Sequence, residues 1–502
     1  MLHKILMTTL SLLFGCQLFA QQEMSVVDAI TDILSGEKEK MSKGCDFLAT
    51  QRGDSTLRFV ATILEGGLYE GQKVSLSRRD KRALSVLTPY LNIKNESADV
   101  RVEAYTTLSL TGVAEDIEYL TAAVSSEVDK KAKKEGENAL NFMLLRVGNN
   151  DQQSAAIEHI SESNDMYFSN IILEYILRED VTNSNKASAE KLAKYYEMVI
   201  RNNNIYQNIF SGLSLGSILV LVSLGLSIVY GLAGVINMSH GEFLMIGAYT
   251  TYCVQQIFAV MLPESMFDLA FFLSIPLSFI VAALFGLVIE RLVLRHLYSR
   301  PLESMLATLG ISLILIQFVR SIFGDITTVK APAILSGGIT FDTGLILPYN
   351  RLFIIGLTVV IFIGVYFLFQ RTRLGVRIRA VTQNRNMSAC VGISTQKIDM
   401  ITFMIGSGLA GVAGCAITLI GNVVPNMGQN YIVDSFLTVV TGGVGKLAGC
   451  AVSGIGIGVL SKFFEAGFEA VYGKVLILLL IIIFLQYRPK GLFADKGRIG
   501  DD

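Results

Sequence analysis

The chain has 502 residues, about half of them apolar, and a formal net charge of −1. That average hides two halves: residues 21–204 carry 22 Lys/Arg against 29 Asp/Glu, a net of −7, and residues 205–502 carry 19 against 14, a net of +5. Residues 202–241 and 400–433 hold no charged side chain, and each run exceeds the roughly 20 residues a membrane-spanning helix needs, which excludes one soluble protein with a greasy core.

Residues 1–20, "MLHKILMTTLSLLFGCQLFA", have a short basic start, a brief apolar centre and a small residue at Ala20. The apolar centre is too short to span, so the segment reads as a secretory signal peptide. A lipoprotein-type site ending at Cys16 is the alternative, and Phe14 fits it poorly. Either reading exports the chain from residue 21 onward.

Residues 21–204 read as an exported domain of short amphipathic helices broken by polar turns. Val100, Ala104, Leu108 and Leu110 mark one helix face, followed by a turn at Gly112 and a second helix ending near Val124. A related start, "SSEVDKKAKKEGENAL", comes about 28 residues after "SADVRVEAY". That period suits a HEAT-like repeat, in which helix pairs bury their faces against neighbours; a plain helical bundle remains open. The only histidine of this region, His159, has no cysteine or paired carboxylates near it, so a solvated face is expected there. The same holds for the basic stretches 77–82 and 130–134 on this acidic background. Docking to another protein is the functional expectation.

Of the six cysteines, Cys16 lies in the signal, Cys45 stands alone in the exported domain, and Cys253, Cys390, Cys415 and Cys450 belong to the apolar half. No CxxC pair exists, so small apolar fillers are expected.

Residues 205–490 carry candidate spans near 206–230, 243–262, 269–290, 304–323, 352–370, 398–422 and 474–487, with a glycine-broken segment at 432–466. Arg291, Arg295 and Arg300, and then five arginines between 371 and 385, sit in short connections expected to face the cytoplasm. Three crossings from an outside start reach the first set, and five reach the second. The C-terminal stretch "YRPKGLFADKGRIGDD", basic near the membrane at Arg488 and Lys490 and ending in the tail 491–502, is also expected inside. The segment 432–466 must then enter and return, with "TGGVGKLAG" at 441–449 as the turn. Glycine and alanine pairs at four-residue spacing (Gly212/Gly216, Gly406/Ala410/Gly414, Gly454/Gly458) predict close helix packing. Trp is absent, and Tyr230, Tyr366, Tyr431 and Tyr487 are the expected interface markers.

The break "GLAGVINMSHGEF" interrupts the first long apolar run with Asn237, His240 and Glu242. Irregular backbone at membrane depth is tolerated only inside protein or beside a wet cavity, and interrupted segments in both halves of a transporter point to its substrate path. The candidate path therefore comprises Asn237, His240, Glu242, Gln317, Asn422, Gln429, Asn430 and Asp434. His240 and Glu242 either orient the broken segment or line a gate. HExxH is absent and no second histidine lies in a span, so no metal site is expected. "TGGVGKLAG" fails as a phosphate loop, with Val440 where glycine and Leu447 where Ser or Thr is needed. No cofactor and no nucleic-acid contact is expected.

The stretch "YGLAGVINMSHGEFLMIGAY" resembles the signature of permease subunits of branched-chain amino acid ABC importers. "RPLESMLATLGISLILIQ", "RIRAVTQNRNMSACVGIS", "GQNYIVDSFLTVVTGGVGKLAG" and "RPKGLFADKGR" look closer to the urea-importer branch, which also has an exported N-terminal region behind a signal peptide. The similarity runs over about 205–498. It implies an all-α, polytopic helical membrane permease with broken or re-entrant segments, without a catalytic site of its own. Urea would be its substrate, with a branched-chain amino acid permease or a passive urea/amide channel as the alternatives. The resemblance also implies a bacterial inner-membrane location in contact with lipid. The implied partners are a second permease subunit, two ATPase subunits and a periplasmic substrate-binding protein. In such permeases a short cytoplasmic helix docks into the ATPase; here Arg379, Ala380, Gln383, Asn384 and Arg385, followed by Ala389 and Gly392, match that role.

Overall fold

The computed structural model describes residues 24–493 apart from 52, 65–67, 70–71, 164, 234–236, 262–266, 298–299, 342, 469 and 490. The expected signal peptide and most of the tail lie outside the described residues. The chain divides into two compact units, Met1–Met198 and Val199–Asp502. The described residues are overwhelmingly helical, and their only strands form two short hairpins.

The first unit holds α1 (Val26–Leu34), α2 (Lys38–Leu48), α3 (Asp54–Leu64), α4 (Arg78–Ser85), α5 (Thr88–Asn92), α6 (Ala98–Thr111), α7 (Asp116–Ser125), α8 (Lys130–Val147), α9 (Asn150–Ser163) and α10 (Ser169–Ile176). Side-chain caps start several of them: Ser25 and Asp28 form a reciprocal capping box on α1, Ser77 caps α4 and Asp129 caps α8, each satisfying backbone N–H groups that a helix start leaves free. One core joins α1 to α8, and a second gathers α8, α9 and α10. The buried face of α6 is Ala104, Tyr105, Leu108 and Ser109. Leu110, expected on that face, is exposed, because it lies two residues, about 200°, from Leu108 around the helix. His159 is exposed as expected and meets Asn141 at 3.1 Å.

The second unit takes up α11 (Asn183–Ala233) past Met198 and continues with α12 (His240–Met261), α13 (Phe267–Leu292), α14 (Pro301–Phe323) and α15 (Tyr349–Arg371). Two short helices, α16 (Arg373–Gln383) and α17 (Arg385–Cys390), lead to α18 (Thr395–Ile417), α19 (Met427–Gly442), α20 (Leu447–Gly467) and α21 (Ala470–Tyr487). Among the described residues, seven helices (α11, α12, α13, α14, α15, α18 and α20) are long and apolar enough to cross a membrane. The broken segment 432–466 resolves into α19 and α20, packed together and joined through Gly443 and Gly445, both with positive φ (101° and 78°). Glycine adopts that conformation without steric cost.

The small-residue stripes are contact surfaces. A Cβ at Gly212 would lie 2.6 Å from the Val459 Cα and one at Gly216 2.8 Å from the Ile455 Cα. The Gly212/Gly216 stripe of α11 therefore lies against the Gly454/Gly458 stripe of α20. Gly225 of α11 meets Gly406 of α18, and Gly247 of α12 meets Gly411 of α18. Such approaches gain van der Waals contact where lipid gives no hydrophobic drive. The cysteine expectation holds for Cys45, Cys415 and Cys450, which are buried; Cys390 is exposed at the end of α17.

Candidate functional site

Two breaks meet inside the second unit. The first lies between α11 and α12, where Asn237 folds into a turn: its Oδ1 accepts from the Ser239 backbone N–H (3.0 Å) and hydroxyl (2.7 Å), an arrangement that competes with regular helix. Helix α12 then starts beside the last turns of α11, where the His240 ring packs against Gly225 and its Nε2 lies 3.3 Å from the Val222 carbonyl. The second break is the irregular run from Thr418 to Asn426, which ends α18 five residues short of the expected span and leaves Asn422 in a connection. At its end Gly428, in the first turn of α19, lies against Gly241, in the first turn of α12. Two helix starts, each a positive dipole end, are thus juxtaposed within the helix bundle.

His240 and Glu242 are both fully buried and face different helices. Glu242 Oε1 accepts from the Ser312 hydroxyl of α14 at 2.8 Å, while Oε2 has no partner among the described residues and lies over Gly428. No bond joins the two residues among the described contacts. Through these contacts the start of α12 is held against α11 and α14. No group of three metal-ligating side chains exists among the described residues.

Two cavities flank α19. One, of about 270 Å³, is lined by Leu226, Tyr230, Asn237, Met238, Met305, Ile432, Val433 and Phe436. It is nearly all apolar, and its one amide, Asn237, is buried with an Nδ2 that has no hydrogen-bond partner among the described residues. The other, of about 310 Å³, lies between α11, α19, α20 and α21; Gln429, Asn430 and Asp434 line it together with Lys474. Val433 borders both. The structure thus brings Gln429, Asn430 and Asp434 together and places Asn237 on the neighbouring face. It does not bring in Gln317, which points outward from α14, or Asn422, which is exposed beside the bridge from Thr327 to Val423. A polar residue in an apolar run signals a path only if its helix face turns inward, and Gln317 fails that condition. Lys474 and Ser312 were missed; the lone charge of α21 was the available signal for the first.

The second candidate surface is the α16–α17 elbow. Asn384 ends α16 and caps α17, accepting from the Met387 N–H at 3.0 Å. Arg379 donates to the Phe369 carbonyl and Arg385 to the Asp399 carboxylate, so both guanidinium groups are engaged within the chain. Gln383, Asn384, Ala389 and Gly392 are exposed and Ala380 is half-buried. Three apolar side chains stand out beside them: Val376 (57% exposed), Met387 (60%) and Val391 (77%).

Residues 208–485 match the family model described as a branched-chain amino acid transport system permease component. The high-affinity branched-chain amino acid permease protein BraD of Pseudomonas aeruginosa is 30% identical over 57% of this chain and 95% of its own length. The LivH permease proteins of Salmonella typhimurium (28%) and Escherichia coli (26%) align over the same shares. No solved structure matches. These relatives are named for branched-chain amino acids, which favours that alternative over urea. The match covers more than half of the chain and contains both breaks, both cavities and the elbow: the chain belongs to the family of branched-chain amino acid transport permease components.

Proposed function

We propose that this chain forms part of the translocation path of an ATP-driven importer for branched-chain amino acids. The observation that carries the reading is the cavity beside the first break. Its aliphatic, aromatic and thioether lining suits a hydrocarbon side chain, and the Asn237 amide NH2, without a partner among the described residues, offers donors to a carboxylate or carbonyl. Urea has no hydrocarbon surface to bury there. The chain has no phosphate loop, so ATP hydrolysis falls to partner ATPases, which would dock on the α16–α17 elbow. A second permease and an external binding protein complete the assembly. The chain would lie in the bacterial inner membrane with its N-terminal unit in the periplasm and its C-terminus in the cytoplasm, an orientation supported by the arginine-rich connections. The N-terminal unit would then contact the binding protein or the second permease.

Urea remains a second reading, favoured by the four sequence stretches that resemble that branch and by the extra N-terminal unit. Uptake of labelled leucine and of labelled urea by cells lacking the chain separates the two. Loss of leucine uptake alone supports the first reading; loss of urea uptake with leucine uptake intact overturns it.

A further inference from the structure

Two opposite charges face one cavity from neighbouring helices without meeting. Asp434 is the single charged residue of α19 and Lys474 the single charged residue of α21, and both line the 310 Å³ cavity. Among the described residues no ion pair or side-chain hydrogen bond engages the Asp434 carboxylate, the Lys474 ammonium or the amides of Gln429 and Asn430. Both helices are shorter than the seven spanning ones, and a lone charge in an apolar segment within a membrane protein typically pairs or faces a polar cavity. Direct pairing would be the simplest relief, and among the described residues no ion pair joins the two groups, which line the same cavity. The other nearby acid, Glu465, is already held by Lys462 at 2.5 Å, which leaves one anion and one cation for the cavity. Apart from Ser461, the remaining lining is aliphatic, including Leu215, Leu219, Leu437, Ile457 and Ile477.

The complement of this lining is a small molecule with a carboxylate and an ammonium close together on a hydrocarbon body. A fatty acid or an alkylamine satisfies one charge only, and urea neither. We propose that the cavity binds the zwitterion of an aliphatic amino acid. Lys474 holds the carboxylate, Asp434 the ammonium, and the side chain lies on the aliphatic wall. The inference rests on the transport reading and deepens it. Because Val433 borders this cavity and the Asn237 cleft, the two are successive stations on adjacent faces of α19.

The test is binding of labelled leucine to the transporter complex in lipid nanodiscs, with isocaproate (carboxylate only) and isoamylamine (ammonium only) as competitors. The expected result is that leucine binds at least about tenfold tighter than either analogue, the scale of one charge-assisted hydrogen bond. Asp434→Asn should erase the advantage over isocaproate and keep that over isoamylamine; Lys474→Gln should do the reverse. If either variant does not fold, Val475→Phe on the exposed rim should weaken leucine more than alanine. Unchanged leucine binding, an equal loss for all three ligands, or lost subunit assembly with leucine binding intact would each overturn the proposal. Cellular uptake separates the two levels. Variants that bind and import leucine like the wild type sink the site and leave the transport reading; a wild type that binds zwitterions selectively but imports no leucine does the opposite.

Discussion

Gly241 and Gly428 touch backbone to backbone, and a Cβ on Gly428 would lie 2.5 Å from the Gly241 carbonyl oxygen and 2.9 Å from Glu242 Oε2. The contact ties the starts of α12 and α19 together and leaves no room for a methyl group on either side. Gly428→Ala should therefore destabilise by about 1–3 kcal/mol, the usual cost of overpacking, and reduce transport with it. Gly310→Ala on α14, where a Cβ meets nothing within 4 Å, should be neutral or slightly stabilising because alanine is the better helix former. Thermal unfolding of the purified variants decides the point. Equal effects of the two substitutions would mean that the close approach is unimportant.

The bond from Ser312 to Glu242 is the one described link between the first break and α14 that a side chain of each supplies. Both residues are about 1% exposed. Ser312→Ala would leave the buried carboxyl without any partner, at a cost of about 1–3 kcal/mol, whereas Ser312→Thr keeps the hydroxyl. In a double-mutant cycle with Glu242→Leu, the coupling should be about 1–2 kcal/mol. A cycle that closes to zero by thermal unfolding removes the brace.

The spanning helices were legible in the sequence because a run of lipid-length apolar residues has few other uses. The glycine stripes were legible as packing surfaces for the same reason, although their spacing does not reveal that Gly212/Gly216 chooses Gly454/Gly458. Depth was not legible. Nothing in "NMSHGEF" announces that α12 starts beside Val222, since that depends on how far the chain climbs back along α11. The run 398–422 looked like one span because Asn422 adds no charge, yet α18 stops at Ile417. Lys474 was overlooked because it stood at the edge of the expected span; the helix begins at Ala470 and carries it into the cavity wall. The elbow was legible as basic and glycine-ended, but the arginines that stood out fold back on the chain while Val376, Met387 and Val391 face outward.

Glu127 in the first unit is held down at about 2, chiefly by the Arg101 guanidinium, with burial opposing and the Asp129 N–H and Tyr105 hydroxyl assisting. Arg101 Nε lies 2.7 Å and the Tyr105 hydroxyl 2.9 Å from Oε2, so the network ties α6 to the α7–α8 turn. The folded value lies below the ordinary 4.5. Its stabilisation is therefore complete above about pH 4.5 and fades as the pH falls towards 2. Hydrogen exchange of α6–α8 in the full-length chain, corrected for intrinsic rates, should lose roughly tenfold in protection between pH 6 and pH 3. Glu127→Gln should show lower protection at pH 6 and a much smaller pH effect. Equal pH effects in both proteins would assign the acid sensitivity to other carboxylates.

The α16–α17 elbow presents exposed apolar side chains next to a glycine, Gly392, at φ 87°. Apolar groups that fill a partner's pocket carry most of an interface's energy, often about 2 kcal/mol each, which is roughly thirtyfold in affinity. Met387→Asp and Val391→Asp should each cut ATPase co-purification by about that factor. Asn386→Asp, an equally exposed neighbour in the same short helix, serves as the charge control and should retain the ATPase. Because Arg385 is bonded to Asp399 at the base of α18, Arg385→Ala should weaken docking indirectly by loosening the elbow, and faster hydrogen exchange across 385–392 would accompany it. Retention of the ATPase by both aspartate variants would place the docking surface elsewhere on the chain.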